Sequence, residues 1–220
     1  MARICVTIGA ETTNEIISRI FQAELADLIE IRLDYRKDDL DFDKIRNKTN
    51  KPLIATNRIK NQNGMIEDAE KDRVKLLMIA AEAGFEYIDV DSCTKNLEKI
   101  VSELQKKGAI VIVSYHDFDR PMSIKQLEQK HKIISGTGCD ILKLIGWAFQ
   151  YSDNLPYLVY NKRHPGNISF AMGEKGVPSR ILAPLSGAAF TYASLDNGME
   201  VAPGQIPLRE LMDTYRSIMT

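Results

Sequence analysis

The sequence is poor in the residues that staple or metallate small folds. It has three cysteines, Cys5, Cys93 and Cys139, an odd number with no Cys-x-x-Cys pair. That argues against a disulfide framework or a zinc ribbon and predicts reduced, buried thiols. The three histidines, His116, His131 and His164, lie far apart with no His-Glu-x-x-His spacing, so no metal site is expected. No Gly-x-Gly-x-x-Gly follows the first strand-like run, which argues against a dinucleotide-binding sheet. No apolar stretch reaches the ~18 residues that a membrane span needs. An excess of one charge is also missing. The 29 Lys and Arg against 30 Asp and Glu leave a formal net charge of -1, with no footprint for nucleic acid or a membrane surface. The opening MARICVTIGA lacks the regions of a signal peptide. A cytoplasmic enzyme is the expected class.

What is present is repetition of a structural kind. The 220 residues are 44% hydrophobic and 27% charged, an ordinary globular balance with enough apolar material for one large core. Strands are predicted over Arg3–Ile8, Asp27–Leu33, Pro52–Thr56, Tyr87–Asp91, Ala109–Ser114, Asp140–Ile145, Asn167–Met172 and Ala188–Ala193. Runs such as AIVIVS are Val- and Ile-rich throughout, which suits parallel strands covered on both faces. Helices are predicted over Asp68–Ala83, Thr94–Lys106, Ser123–Ile134 behind a Ser123 cap, and Ile206–Met219. Pro156 and Pro178 interrupt the patterns of the sixth and seventh helices. Eight β-then-α units at about 27 residues each predict a single-domain (β/α)8 barrel over residues 1–220. A doubly wound open sheet is the rival. No linker or low-complexity segment divides the chain.

In such a barrel, charge at the C-terminal ends of the strands marks the face that carries chemistry. Lys143 sits in CDILKLIGW among Ile141, Leu142, Leu144 and Ile145. An outward lysine would snorkel to water, but helices crowd the outer face of a covered strand. Inward, apolar surroundings disfavour the ammonium form, and a neutral amine is what attack on a ketone requires. His116 ends the preceding strand in VIVSYHDF. The step from 116 to 143 is 27 residues, one βα unit, which predicts similar heights on adjacent strands. An amine beside an imidazole suits Schiff-base formation and proton transfer. Glu30 and Arg32 alternate in LIEIRLDY and so share one face. Arg58, after the third strand, and Arg180, after the seventh, add two more cations. Each alone is an ordinary surface residue; as a set they suggest a carboxylate-bearing substrate. The Gly- and Pro-rich DNGMEVAPGQIP, with Gln205, reads as a lid over the barrel mouth.

These segments together resemble the class I (type I) 3-dehydroquinate dehydratases. The elements are EIRLDY at 30–35, Arg58, SYHDF at 114–118, DILKLIG at 140–146, FAMGEKGVPSR at 170–180 and APGQI at 202–206, in family order and spacing across essentially the whole chain. The resemblance implies a (β/α)8 barrel, a homodimer, and dehydration of 3-dehydroquinate to 3-dehydroshikimate without metal or coenzyme. It implies that Lys143 forms the imine and that His116 moves the proton. Glu30, Arg32 and Arg58 would hold substrate hydroxyls and carboxylate, Arg180 would clamp the carboxylate, and Gln205 would contact from the lid. Thr7 stands where the family often has a hydroxyl. Two positions depart. Gln62 replaces the usual Glu that orients the histidine, with Glu67 near enough in sequence to stand in. Val201 replaces the usual lid Ser or Thr. Another Schiff-base barrel of the aldolase type, and a carboxylate-binding barrel without turnover, are the alternative readings.

Overall fold

Each strand carries two sets of side chains that face two different cores. In the computed structural model, which describes residues 2–219, Ile4, Val6 and Ile8 of β1 (Ile4–Gly9) join the outer cluster, and Cys5 joins the inner one. β2 (Leu28–Arg32) does the same with Ile29 and Ile31 outside and Leu28 inside. The period of two therefore sorts residues between a barrel interior and a shell under the helices. The remaining strands are β3 (Leu53–Thr56), β4 (Tyr87–Asp91), β5 (Ile110–His116), β6 (Ile141–Trp147), β7 (Ile168–Met172) and β8 (Thr191–Ser194).

All ladders are parallel, in the order β7-β6-β5-β4-β3-β2-β1-β8. Pairing of β8 back onto β1 rules out the open doubly wound sheet and makes this a (β/α)8 barrel. The circle is nearly closed. Across the β7–β8 seam, the Ala189 N–H donates to the Asn167 carbonyl at 2.9 Å, and the Phe170 and Tyr192 rings meet at 6.2 Å. The thiols are not uniformly buried as expected: Cys5 is buried, Cys93 is exposed and Cys139 is intermediate. Among the described residues, no helix is long and apolar enough to cross a membrane.

The helices are α1 (Thr13–Gln22), α2 (Phe42–Arg46), α3 (Glu70–Glu82), α4 (Leu97–Lys106), α5 (Ile124–Ser135), α6 (Leu155–Arg163), α7 (Val177–Ser186) and α8 (Leu208–Ile218). Capping boxes start two of them, Thr12 with Glu15 and Ser123 with Gln126. Pro156 and Pro178 sit in the first turns of α6 and α7, where no N–H is needed, so they begin these helices rather than break them. α4 starts three residues later than expected, because Asn96 has φ 53° and Thr94 closes a turn on the Asp91 carbonyl. α8 starts later because the Ile206 carbonyl is engaged by the Ser194 N–H. β8 starts at Thr191 because Gly187, at φ 119°, and Ala188 still close the end of α7.

Close packing holds β6 against α6. A methyl at Gly146 would collide with the Tyr157 hydroxyl and lie 3.2 Å from the Arg120 carbonyl. The Tyr157 ring is fully buried, and its hydroxyl accepts the Met122 N–H at 2.9 Å. Gly146→Ala is expected to destabilise the barrel by about 1–3 kcal/mol, or roughly 2–12 °C in Tm. Calorimetry on the two proteins checks this; an unchanged Tm would mean that α6 moves aside freely.

Candidate active site

Towards the C-terminal ends of the strands, the inner positions change from apolar to polar. Ile112 is followed inward by Ser114 and His116, Leu28 by Glu30 and Arg32, and Cys5 by Thr7. A cavity opens at this end of the barrel. Thr7, Glu30, Arg32, Arg58, His116, Lys143, Arg180 and Gln205 all line it, together with Gln62, Phe118, Phe170, Met172, Tyr192 and Val201.

Lys143 points into the barrel, but its surroundings are not apolar. Its Nζ lies 3.1 Å from Asp89 Oδ2 and 3.9 Å from Glu30 Oε1, above the Tyr192 ring at 4.1 Å from the centroid. The apolar sequence neighbours Leu142 and Leu144 belong to the outer cluster. Asp89 is completely buried. Burial alone would raise its carboxyl, but Arg58, Lys143 and the Ser114 hydroxyl outweigh that and hold it well below the ordinary carboxylate range. The expected equal heights of Lys143 and His116 are also corrected. The register sets Lys143 beside Ser114, and His116 beside Ile145, so the imidazole stands two residues nearer the mouth.

His116 stacks near Phe118, and its Nδ1 is buried with no hydrogen-bond partner among the described residues. Burial, then the charges of Arg58 and Lys143, push its pKa well below 6.5, against the opposing Asp89. The ring is therefore a free base at neutral pH. Gln62 does reach His116, but through the backbone: its Oε1 accepts the His116 N–H at 3.3 Å. It anchors the strand end without a hydrogen bond to the ring Nδ1. Glu67 is exposed and does not take the place of a carboxylate at the ring.

The arginines divide into two kinds. Arg32 is held by both oxygens of Asp34, at 2.8 and 2.7 Å. Arg58 pairs with Asp89 and Asp91, and Arg73 with Asp91. Arg180, on α7, has no carboxylate within ion-pair distance among the described residues. Its Nη1 and Nη2 donate to the carbonyls of Tyr192 and Pro203 at 3.4 and 3.3 Å, and its guanidinium lies over the Phe170 ring. Burial lowers its pKa to about 10. The buried charged side chains are thus Glu30, Asp34, Asp89 and Asp91 against Arg32, Arg58, Arg73, Lys143 and Arg180, one more base than acid. The surplus sits at Arg180, where an anion would balance it.

The loop before α8 lies down over the mouth. Pro203 accepts the Gly173 N–H at 3.2 Å as well as the Arg180 contact. Gln205 holds the loop to itself and to the barrel: its Oε1 accepts the Val201 and Ala202 N–H groups, and its Nε2 donates to Thr7 Oγ1 at 3.3 Å. Gly204 has φ 77° and packs on the Gly173 carbonyl so closely that a Cβ would lie 2.5 Å from it. Among the described residues, no group of three or more His, Cys, Asp or Glu is arranged to hold a metal ion.

A family model described as type I 3-dehydroquinase matches residues 4–220. The chain belongs to the type I 3-dehydroquinase family. A 3-dehydroquinate dehydratase of Dehalococcoides mccartyi is 37% identical over 171 residues, 77% of either chain. One from Coxiella burnetii is 32% identical over 220 residues, covering 97% of this chain and 92% of its own. The crystal structure of 3-dehydroquinate dehydratase from Geobacillus kaustophilus matches the fold with a TM-score of 0.89 at 21% identity, over 100% of this chain and 91% of that one.

Within this family frame, the sequence reading passes over Asp34, Asp89, Asp91, Ser114 and Tyr192. The alternation in YIDVD, which repeats that of LIEIR, marks Asp89 and Asp91 by the same rule that marks Glu30 and Arg32. Because Gln62 touches the His116 backbone, Gln62→Glu is expected to place a carboxylate beside the ring, favour the imidazolium and raise the His116 pKa by on the order of one unit. Titration of the ring by NMR in both proteins checks this. An unmoved midpoint would mean that the strand end screens the ring from position 62.

Proposed function

We propose that this chain dehydrates 3-dehydroquinate to 3-dehydroshikimate through a Schiff base on Lys143, with no coenzyme. The supporting observation is the company that the Lys143 amine keeps: one cavity also holds an imidazole in its free-base form and an arginine without a counter-ion. Family membership supplies the substrate.

The Lys143 amine adds to the ketone carbon, and loss of water leaves a protonated imine. His116 Nε2 takes a proton from the adjacent carbon. The C–H electron pair becomes the enamine double bond, and the imine nitrogen loses its charge. The enamine then expels the hydroxyl one carbon further on, and the imidazolium returns its proton to the departing oxygen as water. Water hydrolyses the imine and frees the amine. One water is released to form the imine and one consumed to break it, so the net product is one water per substrate.

Arg180 takes the substrate carboxylate, since it is the base in excess of the buried acids. Arg32 and Arg58 line the cavity with their charges already matched, and with Glu30 they suit the neutral hydroxyls. Thr7 and Gln205 close the site from β1 and the lid. Lys143→Ala is expected to abolish the adduct formed with substrate and borohydride, and to lower turnover by at least ~4 kcal/mol, roughly a thousandfold. Mass spectrometry of the trapped protein decides it, and an adduct of normal yield in the variant would sink the assignment.

The chain is further proposed to act in the cytoplasm as a homodimer. Leu155 and Val159, one turn apart on α6, and Leu182 and Leu185, one turn apart on α7, are exposed apolar residues on two helices that pack together. Sedimentation at micromolar concentration is expected to show two chains per particle, and a monomer would overturn the assignment.

A further inference from the structure

The Lys143 nitrogen rests on an aromatic face, and no step above uses it. The nitrogen is 4.1 Å from the centroid of the Tyr192 ring. Tyr192 comes from β8 and Lys143 from β6, so the contact spans the β7–β8 seam. The ring is held in place by Phe170 and Phe190, at 6.2 and 5.4 Å between centroids. It is 2% exposed and lines the floor of the cavity. Its hydroxyl is buried and has no hydrogen-bond partner among the described residues. A hydroxyl that is buried and unpaired costs stability rather than adding it. A tyrosine retained for its hydroxyl would be expected to have that group engaged. The part in contact with the reacting atom is the face.

We propose that the π face of Tyr192 holds the Lys143 nitrogen in its cationic states, the ammonium and the protonated imine, and so keeps the imine protonated while it serves as the electron sink. This rests on the Schiff-base reading above. The physical basis is the negative quadrupole of the ring face, which attracts a cation over the centroid within about 6 Å and gains strength where water is excluded. The neutral enamine has no such attraction, so the ring distinguishes charged from uncharged nitrogen. Asp89, at 3.1 Å, pulls in the same direction from another side. The two differ in kind: the carboxylate accepts an N–H along one line, whereas the face leaves the nitrogen free to turn as it changes from tetrahedral to planar.

The pH at which the imine loses its proton is set by everything that faces the nitrogen. Glu30 from β2 and Asp89 from β4 favour the cation. Arg58 beyond β3 and His116 from β5 stand on the same cavity, and Cys5 from β1 lies beneath. A change confined to the ring's π density leaves every one of those groups in place.

The experiment replaces Tyr192 with Phe and, by incorporation of a non-natural residue, with trifluorophenylalanine, whose face is depleted of π density. Tyr192→Leu is the third protein. Each is read by the rate of borohydride trapping on Lys143 and by the basic limb of the kcat profile against pH. Tyr192→Phe is expected to match the parent in both and to equal or exceed it in Tm. The fluorinated ring and Leu are expected to slow trapping by about three- to thirtyfold and to move the basic limb to lower pH. Equal rates and limbs for Phe and its fluorinated counterpart would overturn the proposal. So would equal losses in all three variants, which would assign the effect to the hydroxyl. If Leu fails to fold, the near-isosteric Phe pair decides alone. Failure of the parent protein to give any adduct on Lys143 would instead defeat the Schiff-base reading itself.

Discussion

Asp89 is buried and has two cations to satisfy, and the barrel mouth is organised by that demand. Its carboxylate accepts from Ser114 and pairs with both Arg58 and Lys143. Arg58 in turn commits Asp91, which also holds Arg73. A separate fork ties Arg32 to Asp34. Buried charge is costly unless it is paired and hydrogen-bonded, and this cluster pairs each of its members. Removing one partner strands the others, so the lysine's position is fixed from three strands at once. Preorganisation of this kind suits the proposed amine chemistry, in which the nitrogen must meet a carbon in one orientation.

The same pairing explains why Arg180 stands apart. Three arginines are consumed by the protein's own aspartates, and the fourth is left with carbonyls and an aromatic face. On the proposed reading, the substrate carboxylate therefore goes to Arg180 on α7, next to the loop that covers it.

Much of the barrel was legible in sequence because its periodicities are local. The runs of Val and Ile mark covered strands, and β4 begins and ends where YIDVD does. Capping of α5 by Ser123 was readable for the same reason. The eight expected site residues do surround one cavity, since each stands near a strand end or on the segment beyond it. What escaped depends on contacts between strands. Lys143 reads as a lysine among leucines and isoleucines, but along a strand Leu142 and Leu144 face away from it, and its real neighbours are Asp89 and Glu30. Equal spacing from His116 implied equal height, and only the register shows Ser114 at that level. Pro156 and Pro178 read as interruptions because a proline's meaning depends on where the helix begins. Gln62 was placed near His116, yet which atom it would touch is a matter of loop geometry that residue type does not encode.

The lid has a consequence for anyone who would rebuild this barrel. Gln205 spends its carbonyl oxygen on the loop's own backbone and its amide on a strand at the opposite end of the sequence, 198 residues away. The latch and its keeper thus belong to different modules. A loop transplanted with its Gln but set above a strand without the Thr7 hydroxyl would fold into shape and have nothing to fasten to. Transfer of this loop with its fastening intact has to carry Thr7 as well as Gln205, and a library confined to residues 196–207 would vary the cover without its anchor on the frame.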